Sequence, residues 1–105
     1  MNVPNDKLDE LVRRIVEAVH PIRIILFGSA ARGEAGPDSD IDVLVVMPEG
    51  THRRRTAQYI YERLLGIGVP VDVVVVTARD LDEHKDDAGL IYGTALREGE
   101  ELYAA

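Results

Sequence analysis

Two aspartates at the head of an apolar run are the feature that most constrains this chain. Asp40 and Asp42 flank Ile41 and lead directly into the apolar residues 43–46. Because side chains two apart on a strand point to the same face, the two carboxylates converge while Ile41 turns into the core. Like charges held that close repel, and a bound divalent cation is the usual relief. We therefore expect a buried strand with an acidic, metal-binding edge.

A short Gly-Ser turn precedes these carboxylates. Gly28 and Ser29 end the β-rich run 22–27, and ten residues separate Ser29 from Asp40. Gly28 lets the backbone turn tightly and approach a phosphate, and Ser29 adds a hydroxyl and an amide at the start of a helical turn. A plain strand-to-helix cap would need the same two residues, but the ten residues that follow favour phosphate binding.

Two more side chains belong to this region. Arg32 lies three residues after the serine, hence on the same face of any helical turn, where it could pair with a β- or γ-phosphate. A structural ion pair with Glu34 or Asp38 is the competing interpretation. Ser39 is interpreted as orienting the loop or Asp40.

A third carboxylate interrupts another apolar run. Asp72 is the only charged residue in residues 69–76. An ionised carboxylate inside such a run is costly unless it is paired or coordinated, although at the start of a strand it could also reach solvent. We expect Asp72 to join the first two aspartates in one site.

Strand-like and helical patterns alternate along the chain. Residues 22–27, 41–47 and 71–76 are β-rich, and helical spacing of apolar residues occurs from Asn5 to His20 and again after each of the last two runs. Residues 101–103 add a possible edge strand. This alternation indicates an α/β layered domain. A short loop between the first two strands favours antiparallel pairing, and a helix between the second and third permits a parallel crossover, giving a mixed sheet with Asp72 and Asp40 at one end.

Two helix starts can be assigned from capping residues. Thr51 is expected to cap the second long helix, and Thr77 with Asp80 three residues later resembles a capping box for the next one. The second helix should bury an apolar face consisting of Ala57, Ile60, Tyr61, Leu64 and Leu65.

The amino-acid composition limits the classes of protein to which this chain can belong. The chain has 105 residues, of which 46% are apolar, and is expected to form one domain, residues 1–105. It has no cysteine and no apolar run long enough for a membrane span, so we expect a cytoplasmic protein without membrane contact. A formal net charge of −7 and few aromatic residues argue against nucleic-acid binding.

One basic cluster stands out against this acidic background. Arg53, Arg54 and Arg55 fall in the first turn of the second long helix, where positive charge opposes the helix dipole. The expected topology places them at the opposite end of the sheet from Asp40, away from a triphosphate. A solvated face is the simpler interpretation, and a surface for an acidic protein partner is the other.

The order Gly28-Ser29, Arg32-Gly33 and Asp40-Ile41-Asp42, followed by the valine-rich run, resembles the signature of the DNA polymerase β-like nucleotidyltransferase superfamily. The short length, and residues 95–103, are similar to its minimal, MNT-type members. The resemblance implies a palm-like α/β fold, with a small mixed sheet covered by helices. It also implies two Mg²⁺ ions held by Asp40, Asp42 and Asp72, with ATP as substrate.

Minimal members of this kind are commonly antitoxins. The resemblance implies that such a chain pairs with a HEPN toxin encoded by an adjacent gene and transfers AMP from ATP to a tyrosine hydroxyl of that toxin. The assembly could be a homo- or hetero-oligomer. Two alternatives stay open: an antitoxin that acts by contact alone, and an adenylyltransferase for a small molecule such as an antibiotic.

Overall fold

The structure is a computed structural model that describes residues 5–33, 40–84 and 91–105. Helices and strands alternate along these residues as the sequence predicts, and the α/β fold class is confirmed. In chain order the elements are α1 (Asn5–Val19), β1 (Arg23–Phe27), α2 (Gly28–Ala31), β2 (Ile41–Met47), α3 (Arg53–Arg63), β3 (Val71–Thr77), α4 (Ala78–His84), α5 (Ile91–Glu98) and β4 (Glu100–Ala104).

The four strands form one mixed sheet in the order β3-β2-β1-β4. β1 is antiparallel to both β2 and β4, whereas β2 and β3 are parallel and joined through α3. The predicted reversal of the first strand and the parallel crossover are therefore confirmed. Because β1 ends where β2 and β3 begin, one end of the sheet collects the residues that follow β1 and those that open β2 and β3.

Alternation along the strands creates two apolar cores, one on each face of the sheet. Odd-numbered residues of β2 and β3, such as Val43 and Val45, pack with Leu11 of α1 and Ile60 of α3. Even-numbered residues such as Leu44, Val46 and Val76 pack with Leu81 of α4 and Ala95 of α5. Asp42 and Asp72 also have even numbers, so they lie on the α4 and α5 face of the sheet, at the end where β2 and β3 begin.

The start of α3 differs from the prediction. His52, not Thr51, is the N-cap, because its Nδ1 accepts a hydrogen bond of 3.2 Å from the backbone N–H of Arg55. The hydroxyl of Thr51 instead donates to the carbonyl of Pro48 at 2.8 Å. The capping box at α4 is confirmed: the N–H of Thr77 donates to Oδ2 of Asp80, and the N–H of Asp80 donates to Oγ1 of Thr77, both at 3.1 Å.

The buried face of α3 is also narrower than the sequence suggests. Ile60 and Leu64, four residues apart, face the core as predicted. Tyr61 and Leu65 are 41% and 77% exposed, which contradicts the prediction for these two residues. Each follows an inward residue by one position, and the resulting turn of about 100° directs it away from the sheet.

Candidate active site

Two of the predicted aspartates lie on neighbouring strands at this end of the sheet. Asp42, the second residue of β2, pairs in register with Phe27 of β1 on one side and with Asp72 of β3 on the other. Asp40 immediately precedes β2 and is exposed. The turn after Phe27 and the side chains of Asp42 and Asp72 therefore meet at one edge, as the predicted topology requires.

The pKa of Asp42 reflects its burial and the other carboxylates at this edge of the sheet. Its pKa is raised above the ordinary value of 3.8, first by burial and then by the negative charges of Asp72 and Asp40. Asp42 is half-buried, whereas the other two carboxylates are exposed. The negative charges of Asp72 and Asp40 thus act on the half-buried carboxylate of Asp42.

Gly28 makes the turn between β1 and α2 and comes very close to Asp42. Its φ is +71°, in the left-handed region, and a β-carbon built on it would overlap Oδ2 of Asp42. Only a residue without a side chain fits this position without strain. The absence of a side chain brings the backbone at the start of α2 directly against the carboxylate.

The first amide groups of α2 receive no hydrogen bond from an N-cap side chain. Phe27 occupies the N-cap position and has no side-chain acceptor to offer them. Ser29 follows within this helix, and its side chain lies outside the described part of the structure. Backbone N–H groups at such a helix start are suited to an anion.

The remaining predicted residues are placed less fully. Arg32 ends α2 and lies 3.7 Å from the carboxylate of Glu98 in α5, a partner that the sequence did not indicate. Glu34, Asp38 and Ser39 lie outside the described residues, so the predictions that involve them are not tested.

Tyr61 is a residue of this edge that sequence reasoning missed. Its hydroxyl accepts a 2.8 Å hydrogen bond from the N–H of Val73 and lies 3.4 Å from Oδ1 of Asp72. The tyrosine thereby ties α3 to the outer edge of β3 next to a predicted site residue. Its apolar neighbours in sequence suggested a core position, and only its hydroxyl could have indicated this role.

The oxygen chemistry of the edge fits a hard divalent cation. Mg²⁺ prefers carboxylate oxygens, which Asp40, Asp42 and Asp72 supply, and the raised pKa of Asp42 means that a nearby positive charge would be favourable. Within residues 5–33, 40–84 and 91–105, no three acidic, His or Cys side chains already converge as a finished metal site. The fit therefore rests on the donor atoms and their mutual repulsion.

The arginine cluster lies at the opposite end of the sheet, as predicted. Arg53 pairs with Asp80 at 2.9 Å across the starts of α3 and α4. Arg54 and Arg55 are exposed, and the described residues offer neither of them a carboxylate.

No described helix is long and apolar enough to cross a bilayer.

Known proteins share this arrangement of strands and helices. The sequence model of the family described as nucleotidyltransferase domain matches residues 7–93. No curated protein matches the sequence.

Solved structures resemble the chain across most of its length. One, assigned as a nucleotidyltransferase from Sulfolobus solfataricus, has a TM-score of 0.64 at 20% identity, covering 94% of this chain and 78% of that one. A toxin–antitoxin structure with AMP-PNP gives 0.59 at 22% identity, covering 98% and 75%. A complex of tri-AMPylated Shewanella oneidensis HEPN toxin with an MNT antitoxin gives 0.61 at 16% identity, covering 96% and 72%. At these identities the likeness concerns the fold.

Proposed function

The chain belongs to the nucleotidyltransferase domain family, and we propose that it transfers AMP from ATP to a tyrosine hydroxyl of a partner HEPN toxin. The observation that carries this proposal is the register that sets Asp42 beside both the Gly28 turn and Asp72. A phosphate-binding turn and three carboxylates at one edge suit nucleotidyl transfer, in which positioning and charge stabilisation do most of the catalytic work.

The triphosphate would lie on the turn after β1. Gly28 admits it close to the backbone, and the amide groups at the start of α2 donate hydrogen bonds to its oxygens. The hydroxyl of Ser29 would add another donor, and Arg32 could leave Glu98 to pair with a β- or γ-phosphate. Ser39 would orient the loop that leads to Asp40.

The three aspartates would hold Mg²⁺, with Asp40 and Asp42 on the nucleotide side and Asp72 on the acceptor side. When bound, two such ions neutralise charge on the transferring phosphoryl group and on both oxygens of an in-line displacement. Asp72 would also accept the proton of the acceptor hydroxyl. The hydroxyl oxygen bonds to the α-phosphorus, the bond from that phosphorus to the bridging oxygen breaks, and pyrophosphate leaves.

Two of the solved relatives support the choice of acceptor. One contains an ATP analogue together with a toxin–antitoxin pair, and the other contains a HEPN toxin that carries AMP in complex with its MNT antitoxin. We extend that chemistry to this chain because its fold is similar to theirs and its residues 28–42 resemble the superfamily signature. The product of an adjacent gene is the natural candidate for the toxin.

Calorimetry of ATP binding tests the nucleotide half of the proposal. We expect ATP to bind with Mg²⁺ and to lose most of its affinity in EDTA, since three uncompensated carboxylates would repel the triphosphate. Equal affinity in both conditions would contradict the proposed site. Incubation with ATP, Mg²⁺ and the purified product of the adjacent gene, followed by mass spectrometry of both proteins, tests the acceptor half.

A further inference from the structure

The outer face of α3 carries an exposed stripe that the proposed chemistry does not use. Arg54, Gln58, Tyr61 and Leu65 follow one another at helical spacing of four, three and four residues, so they share one side of α3 and the turn after it. All four are exposed. We call these residues the Arg54 stripe.

The stripe belongs to a helix, α3, that combines exposed apolar side chains with positive charge. The large exposed apolar residues of the described chain are Tyr59, Tyr61 and Leu65, all on α3 or directly after it. α3 also has four arginines and one glutamate, whereas the whole chain has a formal net charge of −7. An exposed mixture of tyrosine, leucine and arginine is typical of protein–protein interfaces.

Folding does not account for the two ends of the stripe. Arg54 lies in the first turn of α3, where its charge opposes the helix dipole, and the described residues give it no carboxylate partner. Leu65 is 77% exposed, so it contributes little to the core. Within the part of the chain that the structure describes, neither side chain has a contact that explains its position.

The stripe ends at the proposed active site. Tyr61 places its hydroxyl 3.4 Å from Oδ1 of Asp72, the residue to which we assign the acceptor hydroxyl. A protein that lies along the stripe therefore reaches the acceptor side of the site. The nucleotide side is reached past Gly28, the residue that follows β1, and β1 lies two strands away from β3 in the sheet.

We propose that the Arg54 stripe is the docking surface for the acceptor protein. The matching face of that protein has carboxylates opposite Arg54 and an apolar patch opposite Tyr61 and Leu65. This inference rests on the proposed function, because it names the surface by which the same site receives its acceptor. A nucleic acid fits less well, since a chain of net charge −7 repels a phosphate backbone.

A pair of charge reversals on one helical turn tests the docking surface. Arg54→Glu lies on the stripe, and Arg55→Glu is its matched control, because Arg55 is also exposed and without a described carboxylate partner but points about 100° away. Both variants place an acidic residue where the helix dipole favours it, so both should fold. The probe is the purified product of the adjacent gene, and the readouts are its Kd and its KM in AMP transfer.

We expect Arg54→Glu to raise both constants by about tenfold and to flatten their dependence on salt, with less than about a twofold change for Arg55→Glu. Leu65→Ser should raise them by roughly tenfold as well, since it removes a large apolar contact. Tyr59→Ser, on the other side of α3, is its control.

The outcomes separate the docking surface from the proposed function. Transfer by wild-type protein with equal constants in Arg54→Glu and Arg55→Glu would overturn the docking surface and leave the function standing. Binding that weakens in Arg54→Glu without any transfer would support the surface and overturn the function. Neither binding nor transfer by wild-type protein would overturn both. The stripe variants could instead mainly lose binding to a single-stranded oligonucleotide, or mainly lose self-association. Either result would also overturn the docking surface.

Discussion

The α-carbon of Gly28 faces the carboxylate of Asp42 so closely that a β-carbon there would overlap Oδ2. We expect Gly28→Ala to push the turn and the carboxylate apart. A misplacement of about 1 Å can lower a transfer rate by roughly a hundredfold, and the positive φ adds about 1–2 kcal/mol of backbone strain. Transfer kinetics and urea unfolding measure the two effects.

Gly50→Ala is the matched control for this substitution. Gly50 has a φ of +88°, but a β-carbon there meets no atom within 4 Å. It should lose a similar amount of stability from the backbone alone and retain transfer activity. Equal loss of activity in the two alanine variants would show that the contact with Asp42 has no functional consequence.

The raised pKa of Asp42 predicts a pH-dependent gain in stability for Asp42→Asn. Because the folded pKa lies above the ordinary value of 3.8, Asp42 contributes stability below that value and loses it as pH rises through the folded pKa. Asparagine does not titrate, so the free energy of unfolding of the variant, relative to the parent, should rise across this window and level off above it. Denaturation at a series of pH values without divalent cations measures this, and a difference that is constant with pH would contradict it.

The capping box of α4 should make stability depend on pH in the opposite direction to Asp42. The hydrogen bond from the N–H of Thr77 lowers the pKa of Asp80 below its ordinary value of 3.8, and the nearby charge of Arg53 adds a smaller lowering. Asp80 therefore contributes stability above that value and loses it as pH falls through the folded pKa. Asp80→Ala should cost about 1 kcal/mol at neutral pH, with the cost shrinking in acid. Arg53→Ala, which breaks only an exposed ion pair, should cost less.

The substitution Tyr61→Phe separates two roles of Tyr61, the positioning of Asp72 and the docking of the acceptor protein. It removes the hydroxyl that accepts from Val73 and approaches Asp72, at a cost of roughly 1 kcal/mol, but keeps the ring on the Arg54 stripe. We expect kcat to fall while KM for the acceptor changes little. Tyr59→Phe is the control, since the Tyr59 hydroxyl has no hydrogen-bond partner among the described residues. Unchanged kcat in Tyr61→Phe would remove the positioning role.

Sequence patterns predicted the parts of the fold that depend on periodicity and chain connection. Two β-rich apolar runs, residues 41–47 and 71–76, with one helix between them, were enough to place Asp42 and Asp72 at one end of a mixed sheet. Burial within α3 was harder to predict, because Tyr61 and Leu65 differ from their inward neighbours only by a turn of about 100°.

Contacts between residues of different helices and strands could not be predicted from such patterns. The approach of Arg32 to Glu98 and the bond from Val73 to Tyr61 depend on how α5 and α3 pack against the sheet. The cap of α3 depended on local competition, since Pro48 engages the hydroxyl of Thr51 and leaves His52 to accept from the helix.

The most direct test of the central claim compares AMP transfer by wild-type and Asp42→Asn proteins. Mass spectrometry of the partner measures the modification, and survival of cells that express the partner measures rescue. The variant is nearly isosteric and should fold and dock, but its neutral amide binds Mg²⁺ poorly and the phosphoryl charge loses its stabilisation. We predict an added adenylyl group on the partner with wild-type protein, and loss of both modification and rescue with Asp42→Asn. Full modification by folded Asp42→Asn, or equal rescue without any modification, would contradict the account.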